Sequence, residues 1–405
     1  MITPAVQNQQ GETVMSSDSV GMAQMFNVEP TFAGTSVTPQ SAMRVSAVYA
    51  CVRLIAGAKA SMPVQMFQRQ PGGTRTPVDD HMYLPLLNEE PAACCSAAVF
   101  WEYIESSRQL HGDGYAYIVR NRNGVPQELI PLHPLRVAGE KRNNRIVYYV
   151  AFEDGSYRGI DQDDMLHFCN FGWDGVRSMS TIRWGARNSI GTAIAAENHS
   201  GKFFKNGVIP SVVLEYEAKM PQEVVEQLRA EFINRYSGGD NAHAPLILTG
   251  GTKAQGLSIS ATDAQLLETR AFQVTDIARA FGVPPFMIGE SEKQSSWGAG
   301  MSTMSQAFIN YTLQPHLVRD EQEINRKLFR IGRYIVEFDR RALLRGDLEK
   351  LGAYYRQAIG GSMGPGWLTI DEVRKYENFG PIDGGAELYS PTPTQGATSE
   401  TKPAA

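Results

Sequence analysis

The sequence has few cysteines, and their spacing excludes a covalent or metal-bound framework. Four occur in 405 residues, Cys51, Cys94, Cys95 and Cys169, and no CxxC pair is among them. A disulfide scaffold or a zinc knuckle needs more cysteines at closer spacing. We therefore expect reduced thiols, as in a cytosolic protein.

Long apolar runs and an excess of one charge sign are also missing. No run of 18 apolar residues exists, and the start of the chain lacks the pattern of a secretion signal, so neither a membrane span nor export is predicted. The 38 Lys and Arg residues nearly balance 43 Asp and Glu residues, for a net charge of −5. This balance excludes a basic protein that coats nucleic acid and an acidic disordered tail protein. The length and the 42% hydrophobic content indicate two or more compact parts.

Both ends of the chain have the composition of disordered segments. Residues 1–43 contain no Lys or Arg, and the stretch from Gln7 to Ser19 offers little to bury. The residues from Ser390 onward are mainly Pro, Thr, Gly, Ala and Ser. Such compositions do not offset the entropy cost of ordering. We predict a disordered arm over 1–37 and a disordered tail over 390–405.

Metal and nucleotide motifs are incomplete. The seven histidines show no HxxxH or HExxH spacing, so no metal site and no cofactor are predicted. Gly201-Lys202 resembles the end of a phosphate loop, but Phe203 stands where a magnesium-binding hydroxyl is required. The three acidic residues Asp161, Asp163 and Asp164 are interpreted as a solvated turn in preference to a nuclease metal site.

One nucleophile motif matches in letters but not in context. Residues 360–364 have the Gly-x-Ser-x-Gly pattern around Ser362. A nucleophile elbow follows a strand, whereas this pattern follows the helical stretch from Leu348 to Ile359. We interpret it as a turn between helices, and an esterase built on Ser362 stays as an alternative.

Apolar spacing in the first half predicts helices separated by a β-rich region. One helix should run from Thr38-Pro39 to Met62-Pro63, and a second should bury Phe100, Tyr103 and Ile104 before ending at Gly112. Strands are predicted at Tyr115–Arg120 and Ile146–Phe152, each followed by a turn of the Asn-Gly or Asp-Gly type.

The second half is predicted to contain two long helices around a small mixed block. The first helix, at about 180–205, is rich in Gly and Ala, which permit close helix contacts. The block includes a strand near Val212, a helix opening at Pro221 with Val224 and Val225 in its own core, and a β run at 246–248. The second helix opens with a capping box, Thr262-x-x-Gln265, and ends at Gly282.

The remaining elements follow a predicted long loop. Residues 288–300 have three glycines and no apolar period. Pro315 should kink the helix after this loop. A strand at Tyr334–Phe338 and two more helices complete the prediction, and the last helix starts with the capping box Thr369-x-x-Glu372.

Seven sequence pieces, in order, resemble the portal proteins of tailed double-stranded-DNA bacteriophages, in the siphophage-type group. The resemblance covers about residues 40–385. The pieces are Ser46–Ala56, Ser61–Val64, His111–Tyr117, Pro131–Pro134, Phe203–Gly207, Gln265–Arg270 and Phe281–Pro285.

The resemblance implies an α+β portal-type fold and a division of the chain into parts. These are a wing at 38–179, a stem helix at 180–205, a clip at 206–261, a second stem helix at 262–282, a tunnel loop at 283–300, a kinked helix with a wing strand at 301–340, and crown helices at 341–389. It also implies a structural protein of the virion, assembled in the host cytoplasm as a ring of about twelve copies at a capsid vertex.

The implied partners are the terminase large subunit, the major capsid protein and head-completion or adaptor proteins. Double-stranded DNA would pass through the ring without sequence specificity, which suits an acidic chain because few cations would hold phosphates. No membrane partner is expected.

Three groups of residues are candidates for these roles. The predicted DNA contacts in the tunnel loop are Lys293, Gln294, Ser295, Ser296 and Trp297. The predicted clip contacts to terminase or an adaptor are Glu223, Glu226, Arg229 and Arg235, because charges at a rim guide docking. The predicted ring-packing residues of the stem are Gly185, Ala186, Gly191, Ala193 and Ala195. Alternatively, Trp297 packs as a core residue in a plain connecting loop, or the chain is a ring or vertex scaffold protein that never touches DNA.

Overall fold

The computed structural model describes most of the chain in two compact units, 1–338 and 339–405. The described residues are 31–152, 154–205, 262–290, 304–330, 332–344, 348–361, 364–377 and 379–388, with short pieces at 6–7, 13–14, 212–215, 221–227, 230 and 253–256. The two shortest pieces are strands β1 (Val6–Gln7) and β2 (Thr13–Val14), which pair antiparallel.

The predicted first helix is two helices. Helix α1 (Pro39–Ala42) has the capping box of Thr38 and Ser41, and helix α2 (Ser46–Ala60) follows it. The prediction of one helix is wrong because Val45 adopts an extended backbone, which interrupts the ladder of hydrogen bonds. The apolar spacing continues across the break, so periodicity alone does not reveal it.

Two three-stranded antiparallel sheets enclose a core in the β-rich region. Strand β5 (Asp113–Arg120) lies between β6 (Pro126–Leu132) and β10 (Met165–Cys169). Strand β8 (Arg145–Ala151) lies between β7 (Val137–Arg142) and β9 (Tyr157–Asp161). Both predicted strands are confirmed. Their buried side chains form one cluster, Tyr115, Leu132, Val137, Tyr148, Val150, Ile160 and Met165.

A third sheet joins distant parts of the sequence. Strand β3 (Val64–Arg69) pairs with β4 (Arg75–Val78) on one side and with β13 (Tyr334–Phe338) on the other. The strand predicted at Tyr334–Phe338 is confirmed with both bounds. Its pairing with β3 brings the segment after residue 300 into the same unit as the β-rich region.

Helices cover these sheets. Helix α3 (Leu84–Asn88) is short, and helix α4 (Ala97–His111) packs against α2 and β5. Helix α4 ends at Gly112, whose left-handed backbone (φ 97°) no side chain adopts easily. Phe100 and Ile104 are buried as predicted.

The two long helices are present with nearly the predicted bounds. A π-helical turn (Thr181–Gly185) precedes helix α5 (Arg187–Lys205), and helix α6 (Thr262–Phe281) ends at Gly282 in a left-handed conformation. Between them lie strand β11 (Val212–Glu215), a helical piece at 222–227 and strand β12 (Lys253–Gly256), which pairs with β11. The prediction missed β12, and the predicted β run at 246–248 lies outside the described residues.

Pro315 changes the helix type where a kink was predicted. A π-helical stretch (Phe308–Leu313) leads into helix α7 (Gln314–Leu328). Proline has no N–H to donate, and its ring crowds the carbonyl four residues earlier. The wider π turn just before Pro315 accommodates that crowding.

The second unit is built of short elements. Helices α8 (Arg341–Leu344), α9 (Leu348–Ile359) and α10 (Ile370–Tyr376) lie in its described part, one more than predicted. The capping box of Thr369 and Glu372 is confirmed. Strands β14 (Gly360–Gly361) and β15 (Gly364–Pro365) form a hairpin directly after α9, so a helix leads into the Gly-x-Ser-x-Gly motif.

Among the helices that the structure describes, none has the length and apolar content to cross a membrane.

Candidate functional site at the stem helices

The two predicted stem helices pack against each other. The hydroxyl of Ser189 on α5 donates a hydrogen bond to the carboxylate of Asp276 on α6. Asp276 also accepts from Arg279 at 2.6 Å. A Cβ atom placed on Gly185 would lie 3.6 Å from the Cβ of Ala280, an ordinary contact distance. Polar bonds and small side chains therefore hold the pair close.

The small residues of the first stem helix have different surroundings. Ala186 is fully buried, Gly185 is exposed, and Ala193 and Ala195 are half-buried. Gly191 is buried against Thr31, and a Cβ at this position would lie 2.4 Å from the Thr31 hydroxyl oxygen. Gly191 thus has its close contact within one chain, while packing between copies stays a prediction for all five residues.

The segment that contacts Gly191 belongs to the predicted disordered arm. The Thr35 hydroxyl donates to the Gly191 carbonyl at 3.0 Å, and Thr31 and Val37 are buried. The prediction of disorder through residue 37 is therefore wrong for 31–37. Polar threonine side chains satisfy a helix carbonyl here, and composition alone does not show that tertiary contact.

The start of the predicted tunnel loop is tied to the helical segment that follows the loop. The hydroxyl of Thr312, in the π-helical stretch, donates to the carbonyl of Gly282 at the end of α6. Thr312 is buried, and so is Val283. The chain leaves α6 through a 3₁₀ turn (Pro285–Ile288) and the left-handed Gly289. This hydrogen bond thus joins the end of α6 to the π-helical stretch, while residues 291–303 lie outside the described residues.

The predicted DNA contacts lie outside the described residues. These are Lys293, Gln294, Ser295, Ser296 and Trp297. Of the predicted clip contacts, Glu223 and Glu226 are exposed on the helical piece 222–227, and Arg229 and Arg235 lie outside the described residues.

The prediction that Val224 and Val225 form the core of the clip does not hold in the described part of the chain. Their side chains are 39% and 50% exposed. Apolar spacing indicates which residues can share a face of a helix, but it does not supply an element that covers that face.

A buried network of four charges joins three helices, and sequence reasoning missed it. Lys59 on α2, Glu105 and Arg108 on α4 and Asp320 on α7 each have side chains that are 1% exposed or less. The Lys59 Nζ atom lies 3.3 Å from Glu105 Oε2 and 2.5 Å from Asp320 Oδ2. Arg108 Nη1 lies 2.7 Å from Asp320 Oδ1, and Arg108 also pairs with Glu105.

The charges in this network compensate each other. Burial alone would raise the pKa of Glu105, but Arg108 and Lys59 hold it well below its usual range. The Lys59 ammonium also lies 5.1 Å from the centre of the Trp101 ring, a cation–π distance. A weak signal existed in the sequence, because Lys59 continues the buried spacing of Val52 and Ile55.

A second buried polar cluster lies where β5 and β10 pair. Asp113 and Cys169 are directly opposite in the register, and His167 lies two residues along the same face. His167 Nε2 is 2.9 Å from Asp113 Oδ1, and His167 Nδ1 is 3.0 Å from the Tyr148 hydroxyl. Burial alone would lower the pKa of His167, but the hydrogen bond with Asp113 outweighs it and the pKa rises to about 9.

This cluster has the residue types of a metal site, but its side chains form hydrogen bonds within the protein. One potential ligand atom from each of Asp113, His167 and Cys169 lies within 4.8 Å of the others. Both ring nitrogens of His167 already have hydrogen-bond partners, so neither is free as a ligand. We interpret the cluster as a structural ion pair that ties β5 to β10.

The acidic turn at 161–164 is confirmed as a surface feature. Arg145 pairs with Asp161 at 2.6 Å and with Asp163 at 2.9 Å, and Arg120 pairs with Asp164 at 2.7 Å. Its carboxylates are therefore occupied by arginines.

Comparison with known proteins identifies the class. The sequence profile of the family described as phage portal protein matches residues 46–378. The portal protein of Enterobacteria phage HK97 is 31% identical over 355 residues, covering 87% of this chain and 82% of the relative. The probable portal protein of Streptomyces phage phiC31 is 32% identical over 370 residues, covering 88% and 79%.

The fold agrees with solved assemblies. A chain from the neck of an empty gene transfer agent (GTA) particle, computed with C6 symmetry, is 25% identical, with a TM-score of 0.61 over 90% of this chain and 98% of that one. The chain described here belongs to the phage portal protein family. It is an α+β structural protein of the HK97-like portal type, and the resemblance seen in the sequence is confirmed.

Proposed function

We propose that this chain assembles into a closed ring of about twelve copies at one capsid vertex, and that double-stranded DNA enters and leaves through its channel. The observation that supports this most directly is the packing of α5 against α6, together with the hydrogen bond from Thr312 that ties the end of α6 to the helix after the predicted tunnel loop. A channel needs long elements along its wall and a loop held firmly at its base. The C6 symmetry of the related GTA neck also supports a ring.

Within this proposal, Lys293–Trp297 touch the passing DNA. The residues combine one charge, three hydrogen-bonding side chains and a bulky ring, which suits weak, sequence-independent contact with phosphates. The hydrogen bond of Thr312 with Gly282, at the start of the loop, would help to keep such contacts at a fixed radius.

The exposed carboxylates of Glu223 and Glu226, with Arg229 and Arg235, are proposed to dock the terminase large subunit and later an adaptor. The wing would contact the major capsid protein. We propose that the ring assembles in the host cytoplasm and stays in the mature virion.

A packaging assay with the phage that encodes this chain tests the proposal. Lys293→Ala, or a shortened loop, should lower the amount of packaged or retained DNA while ring assembly is unchanged. Reversing the charges of Glu223 and Glu226 should lower terminase-driven packaging, and reversing exposed Glu140 in the β-rich region serves as the matched control. Normal packaging by all of these variants would contradict the assigned contacts.

Two other possible functions predict different experimental outcomes. A vertex scaffold protein that never touches DNA would tolerate deletion of 288–300. An esterase would label at Ser362 with a serine-directed probe, but the helix α9 directly before the hairpin argues against a nucleophile elbow.

A further inference from the structure

A cavity of about 580 Å³ lies beside the buried cluster of His167 in the β-rich part of the chain. The buried residues Tyr148 on β8 and His167 on β10 form its floor. Its walls are the turn between β7 and β8, the loop that follows β10, and helix α7. Sites for small molecules have volumes of about 300–1,000 Å³. The cavity is therefore large enough for an organic ligand and not only for an ion.

Two cations at this cavity are unpaired. Arg319, Glu323 and Arg326 are spaced four and three residues apart on α7, so they share the helix face that lines the cavity. Glu323 is already occupied, because its Oε2 atom accepts from Arg326 at 2.7 Å and its Oε1 atom accepts from the backbone N–H of His167 at 3.2 Å. The side chains of Arg319 and Lys141 form no ion pair or hydrogen bond with any residue that the structure describes. Their charges are therefore available to an anion.

The hydroxyl group of Tyr148 also lacks an acceptor. Tyr148 is 3% exposed, and its oxygen lies 3.0 Å from His167 Nδ1. The raised pKa of His167, about 9, means that the ring is protonated at neutral pH and that both of its nitrogens donate, Nε2 to Asp113 and Nδ1 to the Tyr148 oxygen. The O–H of Tyr148 then has no acceptor among the described residues. A buried donor without an acceptor is costly, and an acceptor atom in the cavity would remove that cost.

An exposed indole ring completes the lining. Trp173 lines the cavity and is 54% exposed. The loop that carries it is held in shape by Asp174, which accepts hydrogen bonds from the backbone N–H groups of Val176 and Arg177 at 2.8 and 2.7 Å. Aromatic side chains beside cations are the usual arrangement for nucleotides, because the ring stacks on the base while the cations bind the phosphate. The cavity therefore suits a nucleotide better than an inorganic anion.

We propose that this cavity binds a nucleotide, with its phosphate on Arg319 and the Tyr148 hydroxyl and its base on Trp173. Lys141, near the tip of the β7–β8 turn, supplies a second positive charge. The chemistry is the same for a free nucleotide and for one unit of a single strand, so the experiment compares these two sources. All of these residues lie within one copy, and the site would form whether or not the chain assembles into a ring.

Fluorescence anisotropy of N-methylanthraniloyl-ADP with the full-length chain tests this. We expect saturable binding that unlabelled ADP reverses, with much weaker competition by adenosine or by inorganic phosphate, since each offers only part of the contacts. A single-stranded oligonucleotide that competes better than ADP, per nucleotide, would support the site with a strand as the source. Better competition by ADP would support it with a free nucleotide as the source. Displacement by polyglutamate as effective as that by ADP would overturn the proposal in favour of an acidic peptide.

Two pairs of surface variants assign the contacts. Arg319→Gln should weaken binding by about tenfold or more, because a hydrogen bond between two charged groups is lost. Its control is Arg53→Gln, at an exposed arginine of α2 that does not line the cavity, and binding should be unchanged. Trp173→Leu should weaken binding by about tenfold through loss of stacking. Its control is Trp367→Leu, because that side chain is also 54% exposed but does not line the cavity.

A third variant tests the buried donor. Tyr148→Phe keeps the ring and removes the hydroxyl, and it should weaken binding by about fivefold. Circular dichroism shows whether this core variant is folded, and the variants of Arg319 and Trp173 test the site independently of it. No saturable binding by the wild type, or equal affinities of the Arg319 and Trp173 variants and their controls, would overturn the proposal. Electron microscopy of the same samples shows whether rings form, so a failure of the ring proposal is seen separately.

Discussion

At the scale of single residues, the interior of the β-rich part depends on buried charges in balanced groups. Lys59, Glu105, Arg108 and Asp320 pair two cations with two anions across α2, α4 and α7. Removing ions from water is costly, and only the partners compensate that cost. The loss of one member should therefore harm stability more than the loss of any surface ion pair.

Lys59→Met tests this directly. The substitution keeps the apolar stem but leaves Glu105 and Asp320 with one cation fewer, so we expect a loss of about 3–5 kcal/mol in the free energy of unfolding. Urea denaturation measures it. The control Arg75→Ala removes the exposed pair with Glu337 and should cost at most about 1 kcal/mol. Equal losses for the two variants would contradict the role of the network.

His167 should make stability depend on pH. Its pKa is raised from 6.5 to about 9 in the folded protein, so the folded state binds a proton more tightly than the unfolded state. The stabilisation is complete below pH 6.5 and is lost as the pH rises through 9. Its full size is on the order of 3 kcal/mol.

The measurement compares the free energy of unfolding of the wild type with that of His167→Gln between roughly pH 6 and pH 10. This range spans the pKa of His167 in the unfolded state and its pKa in the folded state. The stability difference between the two proteins should shrink as the pH rises. A constant difference would show that the ion pair with Asp113 contributes no such linkage. Titrations of groups that do not contact His167 cancel in this comparison.

At the scale of elements, two glycines of the same helix have opposite roles. Gly191 on α5 has no space for a Cβ beside Thr31, whereas at Gly201 no described atom outside the helix's own backbone lies within 4 Å of the Cβ position. Gly191 therefore fixes where residues 31–35 cross the stem. Gly201 has no such contact among the described residues.

Replacing each glycine with alanine separates these roles. Gly201→Ala should stabilise the protein by up to about 1 kcal/mol, because alanine favours a helix. Gly191→Ala should leave the stability unchanged or lower it. It should also speed proteolytic cleavage within residues 31–37. Thermal unfolding and limited proteolysis measure both effects. Equal stabilisation by both substitutions would contradict the close contact with Thr31.

Local sequence signals predicted most elements whose ends are marked by caps or turns. The capping box at Thr369, the end of α6 at Gly282 and the strand Tyr334–Phe338 were correct. The break at Val45 was missed because apolar spacing continues through it. The strand β12 was missed because its sequence has no apolar spacing. Lys253–Gly256 becomes a strand through its pairing with β11.

The functional residues were less predictable than the elements. The two long helices were predicted from the small residues of the first and from the capping box and Gly282 of the second, and their role as a stem came from the resemblance to portal proteins. The charge network of Lys59 and Asp320 was missed because it joins residues more than 200 positions apart, and a charged side chain in a buried stripe is ambiguous by itself. Contacts between distant segments leave little trace in local patterns.

At the scale of the whole molecule, the chain belongs to the portal family and carries a net charge of −5. A negative channel protein would hold DNA weakly, since each cation on a phosphate adds affinity. Within the proposed function, this charge would favour passage of DNA over retention.

The central claim is that this member of the portal family forms a ring with an open channel. Cryo-electron microscopy of the purified chain, with class averages viewed along the symmetry axis, tests it most directly. We predict a closed ring of about twelve copies with a channel roughly 20 Å or more in width, enough for duplex DNA. Rings without a through-channel, or one too narrow for duplex DNA, would contradict the account.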